Sequence, residues 1–243
     1  MGSSTVTIKQ PLLISFSGLD GSGKSTQIEN LQERLTLAGL NVKLLAFWDD
    51  VVVGKKYREG FVHKIYQSEK GIGAPGKPVN RRDKNIRAWY LTIARHFLYL
   101  LDTIHLRRVI QGAFRSGANV VIIDRYIYDE LANLPLHRGL TRVFVRMIRR
   151  LAPEPDLPYL LDTDVEAAHA RKPEYAVDFM HNCRAAYFHL AQILGTMVIV
   201  PALPLTEAKD AVVTACDKVI LARELGITPE ELGVERKIGA PAA

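Results

Sequence analysis

The chain is predicted to be an α/β protein of three layers, with a parallel sheet between two layers of helices. Two observations carry this. Short apolar runs alternate with helix-period segments along most of the 243 residues. The run Val120 to Asp124 (VVIID) is an unbroken β-branched stretch, the pattern of a strand covered on both faces of a parallel sheet. The first apolar run also passes through a glycine-rich turn directly into a helix pattern, and this unit organises the rest.

Leu12 to Phe16 is the first strand. The stretch Gly18 to Thr26 (GLDGSGKST) follows and fits G-x-x-x-x-G-K-[ST], with Gly18, Gly23, Lys24 and Ser25 in the fixed positions. Gln27 to Ala38 then carries Ile28, Leu31, Leu35 and Ala38 at helical spacing. Glycines let backbone N–H groups turn inward around an oxyanion without a clashing Cβ. The helix adds unpaired N–H groups and the positive end of its dipole. Asp20, Gly21, Ser22, Gly23, Lys24, Ser25 and Thr26 are therefore the expected ATP-binding residues. Lys24 would bridge the outer phosphates, and the Ser25 hydroxyl would be a ligand of Mg²⁺.

Composition bounds the alternatives. A chain of this length with 48% hydrophobic residues builds one substantial core. Cys183 and Cys216 lie far apart, which is neither a disulfide framework nor a zinc spacing. No segment is long and apolar enough to span a bilayer, and Lys9, Gln10 and Pro11 interrupt the N-terminus where a secretory signal would run. A cytoplasmic protein with no membrane partner is expected. The formal charge of +6 is concentrated between Lys55 and Arg87, where ten basic and three acidic residues give a net +7. That window is a solvated basic face or a cap that attracts a polyanionic small molecule. Nucleic acid is a weaker reading, because the window lacks regular aromatic interleaving and matches no nucleic-acid module.

Val42 to Phe47 is the second strand and ends at Trp48-Asp49-Asp50, and Gly71 to Pro78 is loop. From Ile86 to about Phe114 the pattern is helical, with Ala88, Leu91, Arg95, Leu98 and Asp102 on one face. Either the helix borders a polar cleft at Arg95 and Asp102, or these two pair with each other. The third strand, Val120 to Asp124, ends in Asp124-Arg125-Tyr126, where ligands of open α/β sheets bind. Asp124 would accept a hydrogen bond from the hydration shell of Mg²⁺, and Arg125 would clamp phosphate. Asp124 could instead cap a helix starting at Ile127, and Arg125 could form a surface ion pair.

Tyr159 to Asp162 is the fourth strand. Asp164 caps a helix that Pro173 stops after Arg171-Lys172. Those cations either fold over phosphates as a lid or complement the helix C-terminus. Phe179 to Leu194 is a helix, Met197 to Val200 the fifth strand and Thr206 to Arg223 the closing helix. Thr228-Pro229-Glu230-Glu231 reads as a capping box opening a short helix, and Gly239 to Ala243 as a frayed tail. One kinase domain over 1–225 is expected, with a basic insertion at about 50–87, a short lid at about 168–178 and an extension at 226–243.

The sequence resembles the thymidylate kinase family of nucleoside monophosphate kinases. Four stretches carry the resemblance, in order: GLDGSGKSTQ, VVIIDRY, PDLPYLLDTDVEAA and FMHNCRAAYFHLA. It implies a P-loop kinase fold with a five-stranded parallel sheet, a homodimer, and transfer from ATP–Mg²⁺ to a nucleoside monophosphate, dTMP first. It implies Lys24, Arg125 and Arg171 as catalytic cations and Ser25 on the metal. It also implies Asp20 at the acceptor's sugar, Arg125 between the donor and acceptor phosphates, and Arg95 as the candidate for the arginine near the base; Asp49 and Tyr126 are further candidates for the acceptor site. The chain departs from the family at Asp49-Asp50, where an arginine usually follows the second strand. It departs again at Leu91, where the base-stacking phenylalanine usually precedes an arginine; Trp89, Tyr90 or Tyr99 would have to stack instead. Two other activities fit the same loop. One is a nucleoside or other hydroxyl-acceptor kinase with Asp49 or Asp50 as base. The other is a nucleotide-switched, nucleic-acid-binding ATPase.

Overall fold

A computed structural model describes residues 10–54 and 89–235, with the backbone alone for 89–92. The basic window from Lys55 to Arg87, the side chains of Trp89, Tyr90 and Leu91, and the tail beyond Glu235 lie outside the described residues. Five strands form one sheet: β1 (Leu12–Gly18), β2 (Val42–Ala46), β3 (Val120–Asp124), β4 (Leu157–Leu161) and β5 (Val198–Val200). All four pairings are parallel, and the spatial order is β2-β3-β1-β4-β5. The helices are α1 (Lys24–Leu37), α2 (Trp89–Arg115), α3 (Ile127–Leu131), α4 (Gly139–Leu151), α5 (Val165–Arg171), α6 (Val177–Leu194) and α7 (Leu205–Leu225).

Side chains alternate across each strand, so every strand feeds two cores. Leu13, Leu45, Val121, Ile123 and Leu160 face a core shared with α2, α3, α4 and α6. Leu12, Ile14, Phe16, Ile122, Tyr159 and Val200 face another, shared with α1 and α7. This is the expected three-layer sandwich with its five-stranded parallel sheet. The central strand β1 is buried throughout, and the apolar residues of β3 are buried on both faces.

The order of strands reverses at β1. Its connection leads outward to β2 and back to β3 on one side, and later to β4 and β5 on the other. In such sheets the crevice at the reversal, beyond the carboxyl ends of the strands, is the binding site. Phe16 and Ala46 are both register partners of Asp124. The phosphate loop, the Asp-Arg turn and Asp49-Asp50 therefore lie along one edge.

Several local expectations are corrected. The second strand ends one residue early, because Phe47–Val51 forms a single π-helical turn. The Asp50 carboxylate accepts the Ala46 amide at 2.7 Å, and His105 of α2 contacts the Val51 carbonyl at 2.7 Å. Asp102 is fully buried and accepts the Val53 amide at 2.9 Å, so it fastens this turn to α2. Tyr99 is buried in the core, which removes it as a stacking residue. Thr228 makes no side-chain cap. Its carbonyl accepts the Glu231 amide, and Pro229–Leu232 is a 3₁₀ turn. Helix α4 occupies a stretch to which the sequence analysis assigns no element.

Asp164 caps α5 as expected, accepting the Ala167 amide at 2.8 Å. Asp164→Ala should cost about 1 kcal/mol. Differential scanning calorimetry should show a fall of about 2–4 °C in melting temperature. An unchanged melting temperature would mean that the cap contributes nothing.

Candidate active site

The loop from Gly18 to Gly23 turns at three glycines in the left-handed region, with φ of 142° at Gly18, 83° at Gly21 and 88° at Gly23. Two of them also permit close approach. A Cβ on Gly18 would stand 2.5 Å from the Leu161 carbonyl oxygen of β4, and one on Gly21 would stand 2.6 Å from the Ala168 carbonyl oxygen of α5. The loop is thus wedged between the end of β4 and a helix that begins 144 residues later in the chain.

Lys24 opens α1 and is 7% exposed. Its ammonium donates to the loop's own carbonyls, at 3.0 Å to Gly18 and 2.6 Å to Leu19. Burial, reinforced by the Arg125 charge, holds its pKa down to about 8, against the pull of Asp20, Asp129 and Asp124. Ser25 and Thr26 are exposed on the first turn. The Ser22 hydroxyl and the Gln27 side-chain oxygen are buried without a hydrogen-bond partner.

Asp124 and Arg125 end β3 next to the loop. One Asp124 carboxylate oxygen is buried and unpartnered. It does not cap α3, because the amide of the cap residue Tyr126 donates to Asp129 instead. Burial raises the Asp124 pKa, and the Lys24 and Arg125 charges oppose that rise. A buried, unpartnered carboxylate oxygen close enough to feel the Lys24 charge, with an exposed hydroxyl at Ser25, fits a Mg²⁺ site of the kind that takes few protein ligands. Among the described residues no group of three or more His, Cys, Asp or Glu could hold a metal on its own.

Arg125 is the one non-glycine residue with positive φ among those described, at 63°. Its amide donates to the Phe16 carbonyl at 2.9 Å, tying the turn to β1. The guanidinium pairs with Asp20 on the loop and, at 3.4 Å, with Asp129. Burial would lower its pKa, but Asp129 and Asp20 together raise it. Tyr126 goes the other way. Its ring is fully buried against Tyr128, and its hydroxyl donates to the Pro153 carbonyl. A side chain enclosed in the core cannot touch an acceptor, so the expectation for Tyr126 is withdrawn.

Arg171 ends α5 and reaches back to the loop. Its Nε donates to the Gly21 carbonyl at 2.9 Å and an Nη to the Thr163 hydroxyl at 2.9 Å. Five residues, 172–176, link it to α6. Asp49 is exposed on the π turn, and Arg95 is half-exposed on α2.

The sequence analysis missed two groups. Asp129, buried on α3, accepts from Ser17, Tyr187, Tyr126 and Arg125. Its place four residues after Arg125, an opposite charge at short range, was the available signal. Arg184 of α6 grips Asp162 at the end of β4 through two bonds of 2.6 Å. Nothing in the spacing of those two residues marks them as a pair.

Comparisons with known proteins bear on the family and the fold. The family described as Thymidylate kinase matches residues 85–212. A thymidylate kinase of Bifidobacterium longum subsp. infantis is 31% identical over 191 residues, 74% of each chain. A probable thymidylate kinase of Pyrococcus abyssi is 29% identical, over 80% of this chain and 89% of its own. The crystal structure of thymidylate kinase from Ehrlichia chaffeensis shares the fold, with a TM-score of 0.53 at 16% identity, covering 86% of this chain and 98% of its own. With its phosphate loop, its Asp-Arg turn and these relatives, the chain belongs to the thymidylate kinase family.

Proposed function

We propose that the protein transfers the terminal phosphoryl group of ATP to dTMP, giving dTDP and ADP. The observation that carries this is convergence. In a chain of this family, Lys24, Arg125 and Arg171 all meet the phosphate loop from different elements. In the reaction the bond from the γ-phosphorus to the bridging oxygen breaks and a bond to an oxygen of the acceptor phosphate forms. That oxygen already carries negative charge, so alignment and charge cancellation matter more than a general base.

The loop amides from Gly21 to Gly23 and the hydroxyls of Ser22 and Thr26 would bind the β- and γ-phosphates. Lys24 would exchange the Gly18 and Leu19 carbonyls for phosphate oxygens. Arg125 would leave Asp20 for the transferring group, and Asp20 would then accept from the acceptor's sugar. Arg171 would close over the outer phosphates from α5. Asp49 and Arg95 complete the proposed acceptor site. Ser25 and Asp124 would hold Mg²⁺, which when bound neutralises phosphate charge. Lys24, Arg125 and Arg171 face the carboxylates of Asp20, Asp124 and Asp129, so an arriving polyanion favours a divalent partner. Asp50 already accepts the Ala46 amide, which disfavours it as a base for hydroxyl acceptors.

A homodimer is also proposed. It is supported by a stripe on α4, where Leu140 is 87% exposed and Val143, Met147 and Leu151 follow at helical spacing. A cytoplasmic location is supported by the wide separation of Cys183 and Cys216 in the sequence, which is not the spacing of a disulfide framework. No helix among the described residues is long and apolar enough to cross a membrane.

A coupled ADP-release assay with ATP, Mg²⁺ and dTMP should show turnover. Lys24→Ala should lower kcat by about 10²–10³ or more while the melting temperature holds. A fully active Lys24→Ala protein would sink the assignment.

The second test is proton linkage. Free Lys24 titrates at about 8, and a neighbouring phosphate favours its charged form. Above about pH 8, ATP binding should therefore take up a proton, and affinity should fall as pH rises. Isothermal titration calorimetry in buffers of different ionisation enthalpy should detect that uptake in the wild type and lose it in Lys24→Met. Equal uptake in both proteins would assign the proton elsewhere.

A further inference from the structure

Four donors from three parts of the fold converge on Asp129, which is 5% exposed. Its Oδ2 accepts the Ser17 hydroxyl at 2.7 Å and the Tyr126 amide at 2.9 Å. Its Oδ1 accepts the Tyr187 hydroxyl at 2.6 Å and faces an Arg125 Nη at 3.4 Å. Ser17 is the residue before Gly18, at the root of the loop. Tyr187 lies on α6, beyond the lid. Three of the four contacts therefore fix the carboxylate without any help from Arg125.

The two ends of the Arg125 guanidinium sit in different surroundings. The end paired with Asp20 lies at the loop, where both side chains are about a quarter exposed, at 25% and 23%. The end facing Asp129 meets a carboxylate whose side chain is 4% exposed. An anion from solvent can compete with Asp20 but has no path to the buried contact. The backbone of Arg125 is also held in a left-handed conformation that ordinary residues avoid. Both amides that bracket it are tied, Arg125 to Phe16 and Tyr126 to Asp129.

We propose that Asp129 is a positioning residue for phosphoryl transfer. It anchors the Arg125 guanidinium and its turn from the core side, so that Arg125 can exchange Asp20 for a phosphate without losing its aim. This rests on the phosphoryl-transfer reading above. The contact from Asp129 is electrostatic and persistent, whereas the contact from Asp20 is exchangeable. A guanidinium released at both ends would have to be ordered again in each turnover.

The test is a double-mutant cycle on the full chain with ATP, Mg²⁺ and dTMP. Asp129→Asn keeps the shape and one acceptor oxygen but removes the charge. It should lower kcat about 100-fold and leave the KM for ATP nearly unchanged, because Lys24 and the loop amides remain. In an Arg125→Ala background the same substitution should cost less than about threefold, since it acts through Arg125. Losses that multiply in an active enzyme, or a loss expressed only in KM, would overturn the proposal and leave the functional reading standing. A wild-type protein inactive on dTMP would overturn both. Should Asp129→Asn fail to fold, guanidine added to Arg125→Ala gives a second measurement with the carboxylate intact. Activity should rise at least about tenfold, and no rise would overturn the proposal.

Discussion

At the end of β1 the main chain comes closer to its neighbours than a side chain would allow. Gly18 lies under the Leu161 carbonyl and Gly21 under the Ala168 carbonyl, at distances that exclude a Cβ. This steric requirement shapes the site. It brings the loop against β4 and α5 at once, so that α1 starts beneath it with its amides aimed at the same point. The Lys24 ammonium then has carbonyls of the loop to bond until a better acceptor arrives.

Charge is organised around that geometry. The Arg125 charge disfavours the proton on Lys24, and three carboxylates favour the charged form of both. With Arg171 at the loop, cations and carboxylates are matched in number, so little positive charge is left over. Such a cluster has little tolerance for a bare polyphosphate and much more for one that brings its own counter-charge. The cations are also used locally. Each already bonds to the loop or to Asp20, so ligand binding exchanges partners and does not create contacts from nothing.

Much of this was legible in the sequence because the signals are local. The phosphate-loop motif, the β-branched third strand and the Asp164 cap each lie within a dozen residues. The failures have physical causes. Tyr126 sits beside Arg125 in the motif, but the positive φ at Arg125 sends consecutive side chains in opposite directions, one to the loop and one to the core. Helix α4 was missed because it carries two apolar rows, one on each side, and no capping side chain marks its start. Thr141, Val145 and Ile148 face inward while Leu140 and Val143 face out. Asp129 was missed because its donors Ser17 and Tyr187 lie 112 and 58 residues away, a separation that no spacing rule reaches. Asp102, read either as a partner of Arg95 or as the border of a polar cleft, binds a backbone amide 49 residues upstream, a contact that helical spacing does not reveal.

The contact between Gly21 and Ala168 has an evolutionary corollary. These two positions form a steric lock between segments far apart in the chain. A lineage that acquired a bulky residue at 21 would need α5 displaced outward at 168, and an arginine carried on that helix would then be drawn away from the loop. Across relatives, the size of the side chain at the first position and the reach of the cation after the second should therefore vary together.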